Sequence, residues 1–361
     1  MSFNTASVAV IILNWNGWKD TVECLTSVLQ SNYSCYYIIL IDNHSSDGSI
    51  EQLIDWASGK NPFQIESSFA ELTAQKLHKP LSLYFFAYEN QNFWDELCST
   101  FKDRSIDFRS IILIQNHENV GFAAGNNLGI KIDQILFKSD YLYLLNNDVV
   151  VEPDTMKNLV NTLEENSGVG AATSAIYHYS EPQKIANLGG QLLGWGIQRY
   201  YTKPTSEKIK YITFTSGCSL MIRRSIIEKY GSLSENFFFG EEDFEFSLRL
   251  KKNKVPLVCA TRSKVYHKES TSSGKLFNEL IKKKFIHVFN RFIDMKNYYS
   301  SVVFAMWRWV MLSMYFFWLT VKHRESIRTS FKFVKALYMY TQHYSDAKKT
   351  TIDKIYADIS L

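Results

Sequence analysis

Short runs of apolar, often β-branched residues alternate along the first half of the chain with longer stretches of helical periodicity. The runs at 7–13, 36–41, 111–115 and 141–145 predict buried strands. One predicted helix ends at Gln30, a second begins near Ser49 and a third spans 121–131. A fourth begins at Pro153, because proline suits the first turn of a helix. Continuous apolar strands separated by helices indicate a parallel sheet that is covered on both faces.

Residues 59–110 form a long connection rich in aromatic side chains. Because unstructured loops of that length are uncommon in compact domains, we expect an inserted subdomain or lid. From residue 212 the pattern changes to mixed elements. It predicts strands over 215–223, 255–260 and 264–267, a helix over 242–252 and helices beyond Leu276. The expected organisation is a main domain over 1–275 and a basic, aromatic helical extension over 276–361.

Composition narrows the function classes. A hydrophobic fraction of 46% and an aromatic fraction of 15% describe a globular chain. The net charge of +4 is too modest to indicate nucleic acid as a partner. The five cysteines are scattered and contain no Cys-x-x-Cys pair, which argues against zinc and disulfides and favours a reducing cytosol. The first apolar run, at 8–13, is too short for a signal peptide.

Polar clusters follow four of the predicted strands, after Leu13, Ile41, Gln115 and Leu145. In open α/β sheets ligands bind at the carboxyl ends of the strands. We therefore expect a ligand crevice at this edge of the sheet.

The turn after the second strand contains Asp42 and Asp47 around Asn, Ser and Gly. One interpretation is a βα turn with helix capping, which these residue types favour. The other is that Asp42 accepts a hydrogen bond from a nucleobase ring N–H.

A glycine-rich segment at 119–127 matches neither a P-loop nor a dinucleotide fingerprint. It is either a tight turn that opens a helix or a place where the backbone at Gly121 approaches a nucleotide. In the second case Asn126 would serve as an amide partner.

Asn146-Asn147-Asp148 resembles an Asp-x-Asp metal turn whose first carboxylate is replaced by an amide. One carboxylate together with phosphate oxygens and water is sufficient for Mg²⁺ or Mn²⁺. His267, after a predicted strand, is either structural or completes a metal or diphosphate site.

The second acidic cluster is Glu241-Glu242-Asp243, about a hundred residues further along the chain. These side chains either satisfy the N-terminus of the predicted helix or supply a general base.

Taken in order, these motifs resemble the family 2 inverting glycosyltransferases, and within them the rhamnosyltransferase-like branch. The resemblance spans roughly residues 7 to 270. The matching segments are I-I-L-N-W-N-G at 11–17, I-D-N-H-S-S-D-G-S at 41–49, N-V-G-F-A-A-G-N-N-L-G at 119–129, L-N-N-D-V at 145–149, S-G-C-S-L-M-I-R-R at 216–224, F-F-F-G-E-E-D-F-E-F-S-L-R-L at 237–250 and V-Y-H-K-E-S at 265–270.

The resemblance implies a glycosyltransferase A fold, a Rossmann-like and mostly parallel sheet, over 1–275. It also implies Mg²⁺ or Mn²⁺ and a dTDP- or UDP-linked sugar donor. By position, Asp42 would read the uracil or thymine ring, and Asn14 and Asn16 would line the nucleotide pocket. Asp148 would ligate the metal, with His267 as a further metal or diphosphate ligand. The predicted cofactor-binding set also includes Asp47, Gly121, Asn126, Asn146 and Asn147.

On the acceptor side, Asp243 matches the catalytic base of the family, and Glu242 would orient the acceptor or the metal shell. Two features depart from the family pattern. Asn146 stands where many relatives have an acid, and the 59–110 segment is not a usual part of the core and would cover the acceptor site.

The implied reaction is transfer of rhamnose from dTDP-rhamnose to a hydroxyl of a glycan or lipid-linked acceptor in cell-surface polysaccharide synthesis. The alternatives are a UDP-galactose, UDP-glucose or UDP-GlcNAc donor, or a non-catalytic sugar-nucleotide-binding protein. A nucleotidyltransferase would need a Gly-rich, basic loop after the first strand, which Asn14-Trp15-Asn16-Gly17 does not supply.

The segment 301–321 is apolar almost all round but contains Arg308. Its length permits a transmembrane helix, although a buried charge makes spanning costly. With basic residues at 282–284, 322, 324, 332 and 335, it predicts a helix on the inner leaflet near a polyprenyl-linked acceptor. That places the protein in the cytoplasm, at the inner face of the cell membrane. The alternative is a helix that packs in the core or forms a homodimer.

Overall fold

A computed structural model describes residues 5–60, 67–73, 77–88, 92–102, 106–268 and 280–359. The four strands predicted in the first half are β1 (Val8–Asn14), β2 (Tyr36–Asp42), β4 (Ile111–Asn116) and β5 (Tyr141–Asn146). Each ends one residue later than predicted, on a polar side chain, because the hydrogen-bonded ladder continues past the apolar run. The helices that follow them are α1 (Trp18–Leu29), α2 (Ser49–Ser58), α5 (Phe122–Leu136) and α6 (Thr155–Glu165).

The remaining elements complete one large sheet and its covering helices. The strands are β3 (Leu83–Tyr88), β6 (Val149–Val151), β7 (Ala171–His178), β8 (Ile185–Asn187), β9 (Gly190–Leu193), β10 (Ile197–Tyr200), β11 (Ile209–Ile212), β12 (Ser219–Arg223) and β13 (Leu257–His267). The helices are α3 (Ala70–Thr73), α4 (Phe93–Phe101), α7 (Arg224–Tyr230) and α8 (Glu242–Lys252).

The strand order is β11-β13-β7-β12-β5-β1-β2-β4-β3, with β6 on β13 and β8 on β7. Strand β12 runs antiparallel between β5 and β7, while β13 is parallel to β7. The carboxyl ends of β1, β2, β4, β5 and β13 therefore meet at one edge. This confirms the predicted glycosyltransferase A architecture, a mostly parallel sheet flanked by helices.

The described part of the 59–110 segment corrects the expectation of a separate insert. Strand β3 pairs in parallel with β4, so it is an edge strand of the main sheet. The sequence of β3 is apolar and aromatic throughout, although only one of its six side chains is buried. Residues 61–66, 74–76, 89–91 and 103–105 of this segment lie outside the described residues.

Two predictions in the second half are also corrected. The strands expected at 255–260 and 264–267 are one strand, β13, whose pairing with β7 is irregular between Ala260 and Lys264. The strand expected over 215–223 begins only at Ser219, so 215–218 is left as irregular chain.

The C-terminal region is helical as predicted. It consists of α9 (Leu280–Tyr298), α10 (Ser301–Phe317) continued by a π-helical turn at Trp318–Lys322, α11 (Ile327–His343) and α12 (Lys349–Asp358). Phe285, Phe289 and Phe292 of α9 share a buried core with Phe214 and Phe244 of the main domain. The helices beyond the predicted boundary at 275 therefore pack on the main domain.

Candidate active site

The first two strand ends are joined by hydrogen bonds. Asn14 and Asp42 are cross-strand neighbours, and the Asn14 side-chain amide donates to Asp42 Oδ2 at 2.7 Å. Ser45 donates its backbone N–H to Asp42 Oδ1 and its hydroxyl to Oδ2, at 2.9 and 2.6 Å. Burial raises the pKa of Asp42, and these hydrogen bonds oppose that rise. Asp42 thus holds the βα turn together, and its contact with a nucleobase stays a prediction.

Asn16 lies in the turn after β1 and Asp47 in the turn after β2. Asn16 has a positive φ of 50°, and its Oδ1 accepts the N–H of Ser46 at 2.7 Å. Asp47 Oδ1 accepts the N–H of Ser49, the first residue of α2, at 3.1 Å. Both side chains therefore stabilise the segment that connects β2 to α2.

The close backbone approach at Gly121 is made to another part of the protein. Gly121 has a φ of 88°, and a Cβ there would lie 2.4 Å from the carbonyl oxygen of Phe238. That carbonyl accepts the N–H of Phe122 at 3.1 Å. Gly121 consequently allows the loop before the second acidic cluster to lie against the glycine-rich turn. Asn126 is buried and donates to the carbonyl of Phe122, one helical turn earlier.

The turn after β5 brings three polar groups together. Asp148 Oδ1 lies 3.1 Å from His267 Nε2, at the end of β13. Asn146 Oδ1 is buried and accepts no hydrogen bond from a described residue. Asn147 donates to the hydroxyl of Thr21 at 3.0 Å and so ties the turn to α1.

These groups can be tested as ligands for a divalent cation. No group of three or more His, Cys, Asp and Glu side chains within the described ranges is placed to hold a metal. Asp148, His267 and the unsatisfied amide oxygen of Asn146 nevertheless fit an ion that takes its other ligands from phosphates and water. Burial lowers the pKa of His267, but Cys218 and Asp148 outweigh this and raise it well above its ordinary value.

The second acidic cluster divides into three environments. Glu241 is ion-paired with Arg291 of α9. Glu242 Oε2 accepts the backbone N–H groups of Gly240 and Glu241, at 2.7 and 2.9 Å. Asp243 Oδ2 accepts one long hydrogen bond, 3.4 Å, from the N–H of Gly217. Burial raises the pKa of all three carboxyls, to about 7 for Glu241 and Glu242.

Two adjoining compartments open between these clusters. The smaller, about 110 Å³, is lined by Asp148, Asn147 and Trp15. The larger, about 600 Å³, is lined by Asp243, Glu242 and His267. Phe122, Asn146 and Phe239 line both. The fold therefore brings the two acidic clusters to one divided crevice.

The larger compartment has walls that sequence reasoning did not find. Gln198 and Tyr200 come from the β9–β10 hairpin, and His287, Arg291 and Tyr315 come from α9 and α10. The sequence does contain one indication of this wall, since Arg291 is a cation within the mostly apolar segment 285–293. A sequence alone does not show which carboxylate pairs with such a cation.

The fold is of the glycosyltransferase A type. A structure of GalNAc-T7 with UDP, GalNAc and Mn²⁺ matches with a TM-score of 0.51 and 14% identity, over 81% of this chain and 52% of the other. The mannosyltransferase PcManGT from Pyrobaculum calidifontis, in complex with GDP-Man and Mn²⁺, matches with a TM-score of 0.52 and 12% identity, over 98% of this chain and 86% of the other. At these identities the likeness establishes the fold.

The sequence then gives the family. Residues 56–290 match the model of "Glycosyltransferase like family 2", and the chain belongs to this family.

Two curated relatives are similar over part of their length. O-antigen biosynthesis protein RfbC from Myxococcus xanthus is 25% identical over 178 residues, which are 46% of this chain and 13% of the relative. The low-salt glycan biosynthesis hexosyltransferase Agl10 from Haloferax volcanii is 24% identical over 144 residues, 39% and 47% of the respective chains. The matches thus span less than half the length of these relatives.

Proposed function

We propose that this protein transfers a sugar from a nucleotide diphosphate donor to an acceptor hydroxyl with inversion at the anomeric carbon. The observation that carries the proposal is the divided crevice. Asp148 lines its smaller compartment and Asp243 its larger one, and His267, which contacts Asp148, also lines the larger compartment. The donor diphosphate would lie by Asp148 and the acceptor hydroxyl by Asp243.

Asp243 is the proposed general base. Glu241 is already paired with Arg291, and Glu242 Oε2 accepts two short backbone hydrogen bonds. Asp243 Oδ2 accepts a long hydrogen bond from Gly217, and Asp243 lines the larger compartment. It would take the acceptor proton as the acceptor oxygen attacks the anomeric carbon. One direct displacement inverts that carbon. A second carboxylic acid of the kind used by glycoside hydrolases is then not required. Glu242 would keep the turn in place and orient the acceptor.

Asp148 and His267, with the amide oxygen of Asn146, would hold Mg²⁺ or Mn²⁺. A divalent cation at this position supplies positive charge that offsets the charge on a departing diphosphate. Asn147 keeps the turn against α1, and Asn14 and Asp42 hold the neighbouring strand ends. The Mn²⁺ bound in both similar solved structures supports this assignment.

For the donor we propose dTDP-rhamnose, and for the pathway the synthesis of a cell-surface polysaccharide. The donor rests on the motif resemblance to the rhamnosyltransferase-like branch. The pathway is supported by the relatives named for O-antigen and glycan biosynthesis. UDP-galactose, UDP-glucose and UDP-GlcNAc are the alternative donors, and a glycan or polyprenyl-linked hydroxyl is the proposed acceptor.

We place the enzyme in the cytoplasm at the inner face of the cell membrane. Among the described residues one helix, Ser301–Lys322, has the length and apolar character to cross a membrane, and 28% of its most apolar stretch is buried. One of its faces packs on the core, and the opposite face exposes a stripe of apolar side chains. The stripe consists of Val302, Val303, Met306, Trp309, Val310, Met314, Phe317 and Val321. Exposed cations lie near its end and on α11, at Lys322, Arg324, Arg328, Lys332 and Lys335. This combination supports a helix that lies on an anionic leaflet.

The test separates binding from transfer. Wild-type protein, Asp243→Asn, Asp148→Asn and an exposed control, Asp95→Asn, are screened by thermal shift with nucleotide sugars, with and without Mn²⁺, and then assayed for transfer. We expect Asp243→Asn to retain donor stabilisation while turnover falls about 10²- to 10⁴-fold. Asp148→Asn should lose the Mn²⁺-dependent part of the stabilisation.

Two results would contradict the proposal. One is that no nucleotide sugar stabilises the wild-type protein under any metal. The other is wild-type turnover by Asp243→Asn.

A further inference from the structure

We infer that Arg291 is a positioning residue of the acceptor site. Paired with Glu241, it fixes the β9–β10 hairpin against the acidic turn and places a permanent positive charge beside Asp243. The inference rests on the proposed function, because it assigns to Arg291 a role in the work of the same carboxylate.

The contacts of Arg291 join three separate parts of the chain. Its guanidinium donates to both carboxylate oxygens of Glu241, in the acidic turn, and to the carbonyl of Gly196, at the hairpin tip. It also donates to Gln198 Oε1 at 2.7 Å. The guanidinium carbon lies 3.5 Å from the centre of the Phe244 ring, one residue after Asp243. One side chain from α9 therefore sets where the hairpin wall stands relative to the base.

Holding two surfaces together with a buried ion pair requires that both charges be removed from water. Arg291 is 15% exposed and Glu241 only 4% exposed. Removing such charges from water costs more than packing apolar side chains, which would join the hairpin to α9 equally well. The neighbouring helix α10 is attached to the same hairpin by an uncharged hydrogen bond, which Trp307 Nε1 donates to the carbonyl of Trp195 at 2.9 Å. The charge at position 291 thus calls for a role beyond attachment.

That role follows from the groups that face Asp243. Glu241 and Glu242 stand beside it on its own element, Tyr200 faces it from β10, and His267 lines the same compartment from β13. The α9 helix brings Arg291 and His287 to this compartment. Burial raises the pKa of Asp243, whereas backbone N–H groups, first that of Gly217, and the positive charge of Arg291 lower it. Arg291 therefore helps to keep the base ionised near neutral pH.

The experiment uses the two partners of the pair as opposite perturbations. The pH dependence of kcat is measured for Arg291→Met and Glu241→Gln in the full-length protein. Without the guanidinium, Asp243 holds its proton to higher pH, so the acidic limb should move up by about one pH unit. Without the Glu241 carboxylate, the Arg291 charge acts on Asp243 unopposed, so the limb should move down.

Two further variants complete the design. Arg291→Lys keeps a cation and should return the acidic limb towards its wild-type position. Arg199→Met removes an exposed cation from the same hairpin and should leave the limb in place. Because the hairpin wall loosens, Arg291→Met should also raise the acceptor KM several-fold with little change in the donor KM.

Opposite shifts cannot arise from a loss of stability, which would lower kcat at every pH. If both limbs stay in place or move in the same direction while Asp243→Asn is inactive, the inference is wrong and the proposed function stands. If Asp243→Asn is active, the proposed function itself is wrong. Should Arg291→Met fail to fold, Glu241→Gln and Arg291→Lys still give a decisive answer. The inference is supported if the acidic limb moves to lower pH in Glu241→Gln and stays near its wild-type position in Arg291→Lys. Any other combination of results contradicts it.

Discussion

The buried carboxyl groups make the free energy of unfolding depend on pH. Asp294, on α9, is 4% exposed, and its Oδ2 accepts no hydrogen bond from a described residue. Burial first, and then the negative charges of Glu241 and Glu245, raise its pKa to about 8. The folded protein therefore holds a proton that an unfolded aspartate releases above pH ~4. As a result, this residue makes the fold less stable as pH rises from about 4 to about 8.

We predict that Asp294→Asn stabilises the protein at pH 8.5 and has a smaller effect at pH 5. An amide does not titrate, so the variant avoids the buried charge, for a gain of about 1–3 kcal/mol at the higher pH. Urea unfolding at the two pH values measures the difference. The exposed control Asp353→Asn should show no such pH dependence. Equal effects of Asp294→Asn at both pH values would contradict the prediction.

Residue types in the sequence could not show which contacts the predicted site residues make. Asn14, Asp42 and Asn147 were all expected to line a nucleotide pocket; Asn147 lines the smaller compartment, whereas Asn14 and Asp42 are fully buried. Their side chains are hydrogen-bonded to one another or to the turn. A short polar side chain at a strand end serves a ligand and a turn equally well. Only the coordinates show which partner it has.

At the scale of elements, helix α5 lies unusually close to strand β1. Gly125 and Gly129 face the strand one helical turn apart, and a Cβ at these positions would lie 2.4 Å from Leu13 and 2.6 Å from Ile11. Their contacts place the glycine-rich turn beside the end of β1. The glycines that were interpreted as part of a nucleotide-binding motif therefore also set the distance between α5 and β1.

We predict that Gly129→Ala destabilises the protein by about 1–3 kcal/mol through overpacking, although alanine favours helix formation. Thermal or urea unfolding measures the change. Gly168 is the matched control, since a Cβ there meets nothing within 4 Å, and Gly168→Ala should be close to neutral. An increase in stability for Gly129→Ala would contradict the prediction, because it would show that β1 accommodates the added methyl group without a loss of stability.

The periodicity of the sequence predicted the strands in the parallel half of the sheet, except for β3 at its edge. Strands β1, β2, β4 and β5 were found because they are buried on both faces. The sequence of strand β3 is also an unbroken apolar run, but it was assigned to the expected insert. At the sheet edge only one of its six side chains is buried.

For the whole molecule, the unresolved question in the sequence was what the apolar 301–321 segment touches. An apolar run with no polar face packs equally well in a core, a bilayer or a dimer, so its period could not decide. The structure shows one face on the core and the other exposed, with Val302 71% and Val321 75% accessible. Met311 and Tyr315, on the inner side, line the larger compartment. The helix therefore connects the proposed acceptor site to the surface stripe.

We predict that the protein binds vesicles of phosphatidylcholine with phosphatidylglycerol and binds pure phosphatidylcholine more weakly. Met306→Glu/Val310→Glu should reduce binding in flotation about tenfold or more, because two charges would enter the bilayer interface. Tyr211→Glu alters an exposed aromatic residue on β11 and serves as the control. If binding is unchanged, or if the double variant instead dissociates a dimer in size-exclusion chromatography, the membrane assignment is wrong.

The arginine clamp also bears on how this enzyme could be redesigned. The parts that Arg291 joins are the hairpin tip at 196–198, the acidic turn at 241 and helix α9, and they are distant from one another along the chain. A chimera that exchanges only one of them with a relative would bring together unmatched charges. Grafting a new acceptor preference onto this scaffold should therefore require the hairpin, the turn and α9 to be transplanted as a set, while the strands that carry Asp42 and Asp148 stay in place.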